Sequence, residues 1–312
     1  MPRSAELAPA RRAARPRIAL MHDRMDWHSR ELVAAFDGLG MEAVPARLKA
    51  CGFDTRRPCG LIIDGFDGLP DAVMVRLITG GSFEAVTVRL GVLHALAGLG
   101  VPVVNQPRAV EFCSDKSATS FLLARAGIAT PAAWTVQSRR EALAIVEREA
   151  SVGPLVLKPL FGSQGRGLKL VRRGEDWPEA DAVAGVYYLQ RFTGQERDGF
   201  RDMRVLVSNG AVVSAMIRHS RHWITNIKQG AVPELVVLDE ALEGLAVRAA
   251  AVLGADIAGV DIILARDGTP MVLEVNSMPG WSGLQQVTPF SVAGRLAADF
   301  LAKAGLRAAA EG

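Results

Sequence analysis

Residues 258–276, AGVDIILARDGTPMVLEVN, hold two apolar runs joined by Asp267-Gly268. An Asp-Gly pair between such runs is a strong local signal for a β-hairpin. With Asp267 and Gly268 as the central turn residues, Asp261 lies directly across from Glu274, and directly opposed residues share one face of the pair. Asn276, two residues beyond Glu274, points to that face as well. Opposed carboxylates destabilise a strand pair unless a cation sits between them. Their all-oxygen chemistry suits Mg2+, which binds one or two carboxylates together with substrate phosphates. The competing readings are a longer turn and the ordinary exposure of polar residues at strand ends. The metal reading is preferred because three polar positions fall in register.

A second stretch, VLKPLFGSQGRG (156–167), places Lys158 upstream of Gly162, Gly165 and Gly167. Closely spaced glycines let backbone N–H groups approach phosphate oxygens, and Lys158 can neutralise phosphate charge from the preceding strand. A Walker-type loop has its lysine after the glycines, and a dinucleotide fingerprint opens a helix; neither pattern fits here. Taken alone, the stretch reads equally well as a flexible hairpin loop beside a surface lysine.

Around these motifs the chain alternates. RIALMHD (17–23) reads as a buried strand, and HSRELVAAFDGLG as a helix with Leu32, Ala35 and Phe36 on one face. GLIIDG (60–65) is expected as a second strand, 85–100 as a helix and 101–106 as a strand. That order predicts a parallel α/β unit. Ser114 is expected to cap a helix over 114–128, and Ser138 with Glu141 forms a capping box for 138–150. Strands at 153–160, 167–171 and 185–192 then suggest a small α+β unit with the glycine loop on a hairpin. Asn209-Gly210 joins another hairpin over 202–218, and a helix over 239–254 leads to the Asp-Gly hairpin. The expected division is a leader over 1–16, an α/β domain over 17–112, subdomains over 113–190 and 191–304, and a frayed tail over 305–312.

The 312 residues are 49% hydrophobic and carry a net charge of +3. The first 17 residues hold five Arg and one Glu, and the remainder has 31 basic and 32 acidic residues. The positive charge therefore belongs to an Ala/Arg/Pro arm and not to the folded body. That arm lacks the apolar centre of a secretory signal. It reads as a disordered leader, and nucleic acid is not expected as a partner. No apolar run approaches a bilayer span. Cys51, Cys59 and Cys113 are odd in number and lack CxxC spacing, which suggests a reducing cytoplasm and no zinc site. His219 and His222 read as part of a solvated loop.

From NQPRAVEFCSDKSATSFLLARAGIATP (105–131) to GVDIILARDGTPMVLEVNSMPGWSGL (259–284), the chain resembles the ATP-grasp superfamily, and within it the RimK-like amino-acid ligases. The resemblance implies an ATP-grasp fold of mixed α/β and α+β class. A parallel α/β domain precedes two α+β subdomains that clamp ATP. Nucleotide contacts are implied for Lys116, Lys158, the loop residues Gly162, Ser163, Gln164 and Gly165, the hinge Gln190, Arg191 and Phe192, and for Asp202 and Asn226. Relatives often carry an acidic residue where Arg191 stands, so only backbone contacts to the adenine edge are expected there. Asp261, Glu274 and Asn276 match magnesium ligands, with two ions expected and Mn2+ as a substitute. Arg218 matches a basic residue facing the reacting carboxylate, and Arg204, Arg221 and Lys228 are assigned to the substrate. Without the resemblance, Lys116 is an ordinary first-turn helix residue and Arg204 pairs with a nearby carboxylate. Arg218, Arg221 and Lys228 are then a solvated basic face.

The implied reaction is ADP-forming ligation of a carboxylate to an amine through an acyl phosphate. L-glutamate would be added to a small-molecule carboxylate, such as a pterin cofactor, or to a protein. Expected partners are small carboxylates and amino acids in the cytoplasm, with no membrane; a homo-oligomer is compatible with this reading. Two other classes compete: an ATP-binding regulator without ligase activity, and a phosphotransferase. Substrate-dependent ADP release separates the first from a ligase, and product mass separates the second.

Overall fold

The structure is a computed structural model that describes residues 15–162, 165–172, 177–193 and 199–307. Most of the expected leader and tail lies outside them. β1 (Arg17–His22) has five buried residues in succession, as a parallel strand covered on both faces requires. α1 (Trp27–Gly38) follows, capped by Asp26, whose carboxylate accepts the Ser29 N–H at 2.9 Å. β2 (Glu42–Arg47) pairs in parallel with β1 and carries Pro45, which a strand tolerates at a sheet edge.

The expected strand at GLIIDG does not join this sheet. β3 (Gly52–Phe53) and β4 (Leu61–Ile62) make a separate two-stranded antiparallel ribbon. The third parallel strand is β5 (Ala72–Val75), fully buried against β1. Both candidates are short apolar runs between turn residues, and only tertiary packing selects between them. α2 (Phe83–Gly98) and β6 (Val103–Val104) complete the order β2-β1-β5-β6.

α3 (Pro107–Ser114) and α4 (Lys116–Arg125) meet at Asp115. Ser114, expected as the cap, is instead the last residue of α3, and its hydroxyl donates to the Val110 carbonyl at 2.7 Å. Asp115 caps α4 by accepting the Ser117 and Ala118 N–H groups at 2.8 and 3.2 Å. Lys116 is thereby the first helical residue of α4. β7 (Ala133–Val136), α5 (Arg139–Glu149, capped by Ser138), β8 (Leu155–Lys158), β9 (Lys169–Val171) and β10 (Tyr187–Arg191) form the next unit, with sheet order β7-β10-β8-β9.

A five-stranded antiparallel sheet follows. It contains β11 (Phe200–Ser208), β12 (Ala211–Ser220), β13 (Val232–Leu235), β14 (Ile257–Leu264) and β15 (Pro270–Asn276), in the order β13-β12-β11-β14-β15. α6 (Glu240–Val252) crosses from β13 to β14. α7 (Ser282–Val287) and α8 (Val292–Ala304) then carry the chain back to its start. Leu296 and Phe300 of α8 pack with Leu32 and Phe36 of α1, the two phenyl rings edge-to-face at 5.3 Å. The same core takes in Met216 and Trp281, so the parallel and five-stranded sheets share apolar packing. Among the described residues no helix is long and apolar enough to cross a membrane.

The cap at Asp115 is testable. Asp115→Ala is expected to destabilise the protein by about 1 kcal/mol, the usual cost of a lost N-cap. Ser114→Ala should cost less, since it removes only a bond back into its own helix. Denaturant melting of the two variants checks the order.

Candidate active site

β11, β12, β14 and β15 display a row of charges on one sheet face. Asp202 opposes Arg218 across β11 and β12, Arg204 opposes Asp261 across β11 and β14, and Asp261 opposes Glu274 across β14 and β15. The expected Asp261–Glu274 pairing is present, but the turn that produces it is not the expected one. Three residues, Arg266, Asp267 and Gly268, separate the flanking Ala265 and Thr269, and Gly268 takes φ +87°. This is a three-residue hairpin with glycine in the left-handed position. Its register alone would misalign the two carboxylates; a bulge between Asp261 and Ile262 restores their opposition. The Asn209-Gly210 hairpin behaves alike. Its tight turn has φ +47° and +76°, and a bulge between Leu206 and Val207 brings Asp202 opposite Arg218.

The four inner charges form a buried chain. Arg218 binds Asp202 through two hydrogen bonds, and its Nη2 also lies 3.1 Å from Asp261 Oδ1. Arg204 grips Asp261 with Nε on Oδ1 and with Nη2 on Oδ2 at 2.8 Å. The bland sequence reading of Arg204, that it pairs with a nearby carboxylate, is therefore what the geometry has. Burial pushes the Asp261 carboxyl up, but the Arg204 and Arg218 charges outweigh it and hold the group below the usual range. Burial raises Asp202, and Arg218 only partly opposes the rise. Arg218 is held more firmly protonated than usual, because the two aspartates outweigh its own burial. Beside this chain, the Glu274 carboxylate makes no ion pair or hydrogen bond among the described residues.

The other wall comes from the β7-β10-β8-β9 sheet. Lys158, at the end of β8, is cross-strand from Tyr188, and its Nζ donates to Gln190 Oε1 at 2.6 Å. Burial pushes this lysine below its ordinary pKa, with Glu274 pulling the other way. Lys116 reaches from α4 to donate to the Gly162 carbonyl at 2.9 Å. Gly165 comes close to the segment that links β12 to β13. A Cβ on Gly165, at φ +68°, would stand 2.7 Å from Ile224 Cγ2 and 2.8 Å from Gln229 Nε2. Only glycine allows that approach.

A cavity of about 180 Å³ separates the walls. It brings together Lys116, Lys158, Gly162, Gly165, Gln190, Arg191 and Phe192 with Asp202, Arg204, Arg218, Asn226, Asp261, Glu274 and Asn276. Ser163 and Gln164 lie outside the described residues. Two expected substrate residues are not in the lining: Arg221 and Lys228 are exposed and point elsewhere. The loop after β12 turns Trp223, Ile224, Thr225 and Asn226 inward and leaves its flanks in solvent. Asn226 also accepts the Lys228 N–H at 2.9 Å, capping the short turn that holds Lys228 outward. His219 pairs with Glu234 at 2.7 Å on the sheet surface, away from this lining.

The Arg191 side chain turns away from the cavity. It binds Glu149 at 2.6 Å and the Gly153 carbonyl at 2.7 Å. The Arg191 and Phe192 N–H groups already donate to the Ala132 and Pro154 carbonyls, so those two donors of the hinge are engaged within the protein. Arg166, Arg201 and Thr225 line the cavity without having been expected. Arg166 falls inside the quoted glycine stretch and Arg201 precedes Asp202, but nothing in spacing distinguishes them from solvated arginines.

These residues fit a magnesium nucleotide. Lys158 is a partly buried cation whose hydrogen-bond partner is a neutral carboxamide, and the Gln190 Nε2 beside it has no partner among the described residues. Phosphate oxygens satisfy both. Among the described residues no group of three or more His, Cys, Asp or Glu could hold a metal alone. A cation between Asp261, Glu274 and Asn276 would complete its shell with substrate oxygens and water, as Mg2+ does.

The ion chain makes a stability prediction. Arg218→Met leaves Asp202 buried without its counter-charge, and breaking such a pair costs about 3–5 kcal/mol. Arg204→Met should cost less, because Arg218 still reaches Asp261. Denaturant melting of both variants tests that order.

Comparison with known proteins agrees with this architecture. A model of the RimK-like ATP-grasp domain matches residues 113–300. The tetrahydromethanopterin:alpha-L-glutamate ligase of Methanosarcina acetivorans is 31% identical over 302 residues, covering 84% of this chain and 91% of its own. The enzyme of the same name from Methanococcus maripaludis is 36% identical over 63% of this chain and 68% of its own. Among solved structures, the ATP-grasp ligase PsnB with a minimal precursor superposes with a TM-score of 0.71 at 21% identity, over 93% of this chain and 100% of that one. A RimK domain ATP-grasp protein from Sphaerobacter thermophilus gives 0.65 at 25% identity, over 91% of this chain and 98% of its own. With its sheets, cavity and sequence all pointing the same way, the chain belongs to the RimK-like ATP-grasp family.

Proposed function

We propose that this protein is an ATP-dependent, ADP-forming carbon–nitrogen ligase that joins L-glutamate to a small-molecule carboxylate, a pterin-type cofactor being the first choice. The observation that carries the reading is the convergence of Lys116, Lys158 and the glycine loop on one wall with the Asp261, Glu274 and Asn276 hairpin on the other. The matched relatives support glutamate and a pterin by their names.

In this reading residues 113–190 and 191–304 act as two jaws. Lys116 and Lys158 hold nucleotide phosphates, and the glycine loop over 162–167, of which 163 and 164 lie outside the described residues, closes over them to keep water off the acyl phosphate. The hinge Gln190–Phe192 meets the adenine edge through its backbone, and Phe192 and Trp223, edge-to-face at 6.0 Å, wall the cavity beside it. Asp261, Glu274 and Asn276 hold magnesium; two ions fit the donor count, and Mn2+ substitutes because it shares the preference for oxygen. A metal held there would supply charge neutralisation as negative charge develops on the phosphoryl group. Arg218 faces the acid substrate and steadies the oxyanion formed when the amine attacks, while Asp202 keeps it oriented. Arg204 stands in contact with Asp261 and is placed to meet the same anionic substrate. Asn226 borders the phosphates. The three cysteines are free and two are buried, which supports a reducing cytoplasm.

Purified protein with Mg-ATP, a panel of amino acids and pterin or other small carboxylates, read by mass spectrometry, tests the reaction. ADP release that requires both substrates, with a product heavier by one glutamyl residue, is expected. A phosphate adduct without an amide would instead establish a phosphotransferase, and nucleotide binding without turnover a regulator. Glu274→Ala is expected to lower turnover by on the order of 10²–10³-fold, like other losses of preorganised charge stabilisation, while leaving the melting transition in place. Unchanged turnover would overturn the metal assignment.

A further inference from the structure

Asn105 lies just after β6 and is 2% exposed. Its carboxamide is inserted at the open end of the β14–β15 hairpin. Oδ1 accepts the Ile257 N–H at 2.8 Å, and Nδ2 donates to the Ile257 carbonyl at 2.7 Å and to the Ser277 carbonyl at 2.5 Å. Ile257 begins β14, and Ser277 follows Asn276, the last residue of β15. The ladder between these strands ends with Gly259 opposite Asn276. The side chain of Asn105 therefore continues the ladder as a peptide group would, with both of its amide donors used.

Two further side chains of the N-terminal unit hold the segment that leaves the hairpin. His28 Nδ1 faces Asp26 Oδ2 at 3.2 Å, and Nε2 accepts the Trp281 N–H at 3.1 Å. The donor on Trp281 fixes the proton on Nδ1. The buried Arg76 bridges Asp26 and the Met278 carbonyl at 3.4 and 3.5 Å. Backbone atoms of residues 277, 278 and 281 are thus gripped from outside the jaws, directly after Asn276.

We propose that Asn105 is a positioning residue for the metal hairpin. It sets the spacing of β14 and β15 where Asn276 leaves the ladder, and His28 and Arg76 hold the segment beyond. Together they aim Glu274 and Asn276 at a cation shared with Asp261. This rests on the metal reading given above. Groups that orient metal ligands typically alter metal affinity by about 10–100-fold when removed.

The test uses the full chain and a nonhydrolysable ATP analogue. Its affinity is measured by calorimetry in EDTA and again with Mn2+, and the ratio is the metal-dependent gain. Asn105→Ala should leave the EDTA affinity unchanged and shrink the gain about tenfold. A merely structural residue would lower the melting temperature and leave the gain intact, and that result overturns the proposal. Glu274→Ala separates the two readings. If it keeps the full gain, the metal assignment fails and the inference falls with it. If it loses the gain while Asn105→Ala keeps it, only the positioning role fails. Should Asn105→Ala not fold, His28→Ala decides. A gain reduced severalfold supports the grip on 277–281, and a full gain refutes it.

Discussion

The chain of alternating charges from Asp202 through Arg218 and Asp261 to Arg204 is the interaction on which this active-site region depends. Each charge taken from water costs several kcal/mol even after relaxation, and mutual attraction offsets that only in close geometry. The chain reaches such geometry because its members are directly opposed across adjacent strands. A one-residue slip of any strand would turn a charge into the apolar core on the other face. The chain therefore specifies register more than it stabilises the fold. Glu274 and Asn276 are aligned relative to it, and the cavity floor takes its shape from that row.

The opposite wall is arranged by incompleteness. Lys158 is partly buried with a neutral partner, and desolvation depresses its affinity for a proton. An anionic partner would relieve that condition by favouring the charged form. Gly165 comes so close to Ile224 and Gln229 on the other wall that a β-carbon there would clash. The two walls differ in chemistry: carboxylates, a carboxamide and paired arginines on one side, the ammonium groups of Lys116 and Lys158 on the other.

Much of this was legible in the chain. The two turn dipeptides named both hairpins, and the Asp261–Glu274 opposition followed from simple alternation. It followed for an inexact reason, since a longer turn and a bulge compensate one another. Bulges are set by packing of neighbouring strands and leave little local signature. The parallel sheet was less legible. GLIIDG and the run 72–75 are alike in length and apolarity, and only the second lies against β1. Arg221 and Lys228 resembled Arg218 as basic neighbours of one loop, yet the path of the loop turns them outward. The share of Asn105, His28 and Arg76 in holding residues 277–281 was invisible, because the partners are separated by 172 to 253 positions in the chain.

By itself the sequence determined the elements that rest on nearest neighbours: the hairpin turns, the helix stops, the glycine loop, and the two-residue alternation that puts Glu274 and Asn276 on one face. Steric limits on φ and ψ act within a few residues, so a short stretch is enough to reveal them. Tertiary structure alone decided which apolar run entered the parallel sheet, where the bulges fell, and which arginines became counter-charges within the cavity. Those outcomes depend on burial and on charge pairs between distant strands. Their energies exist only once the chain has closed on itself.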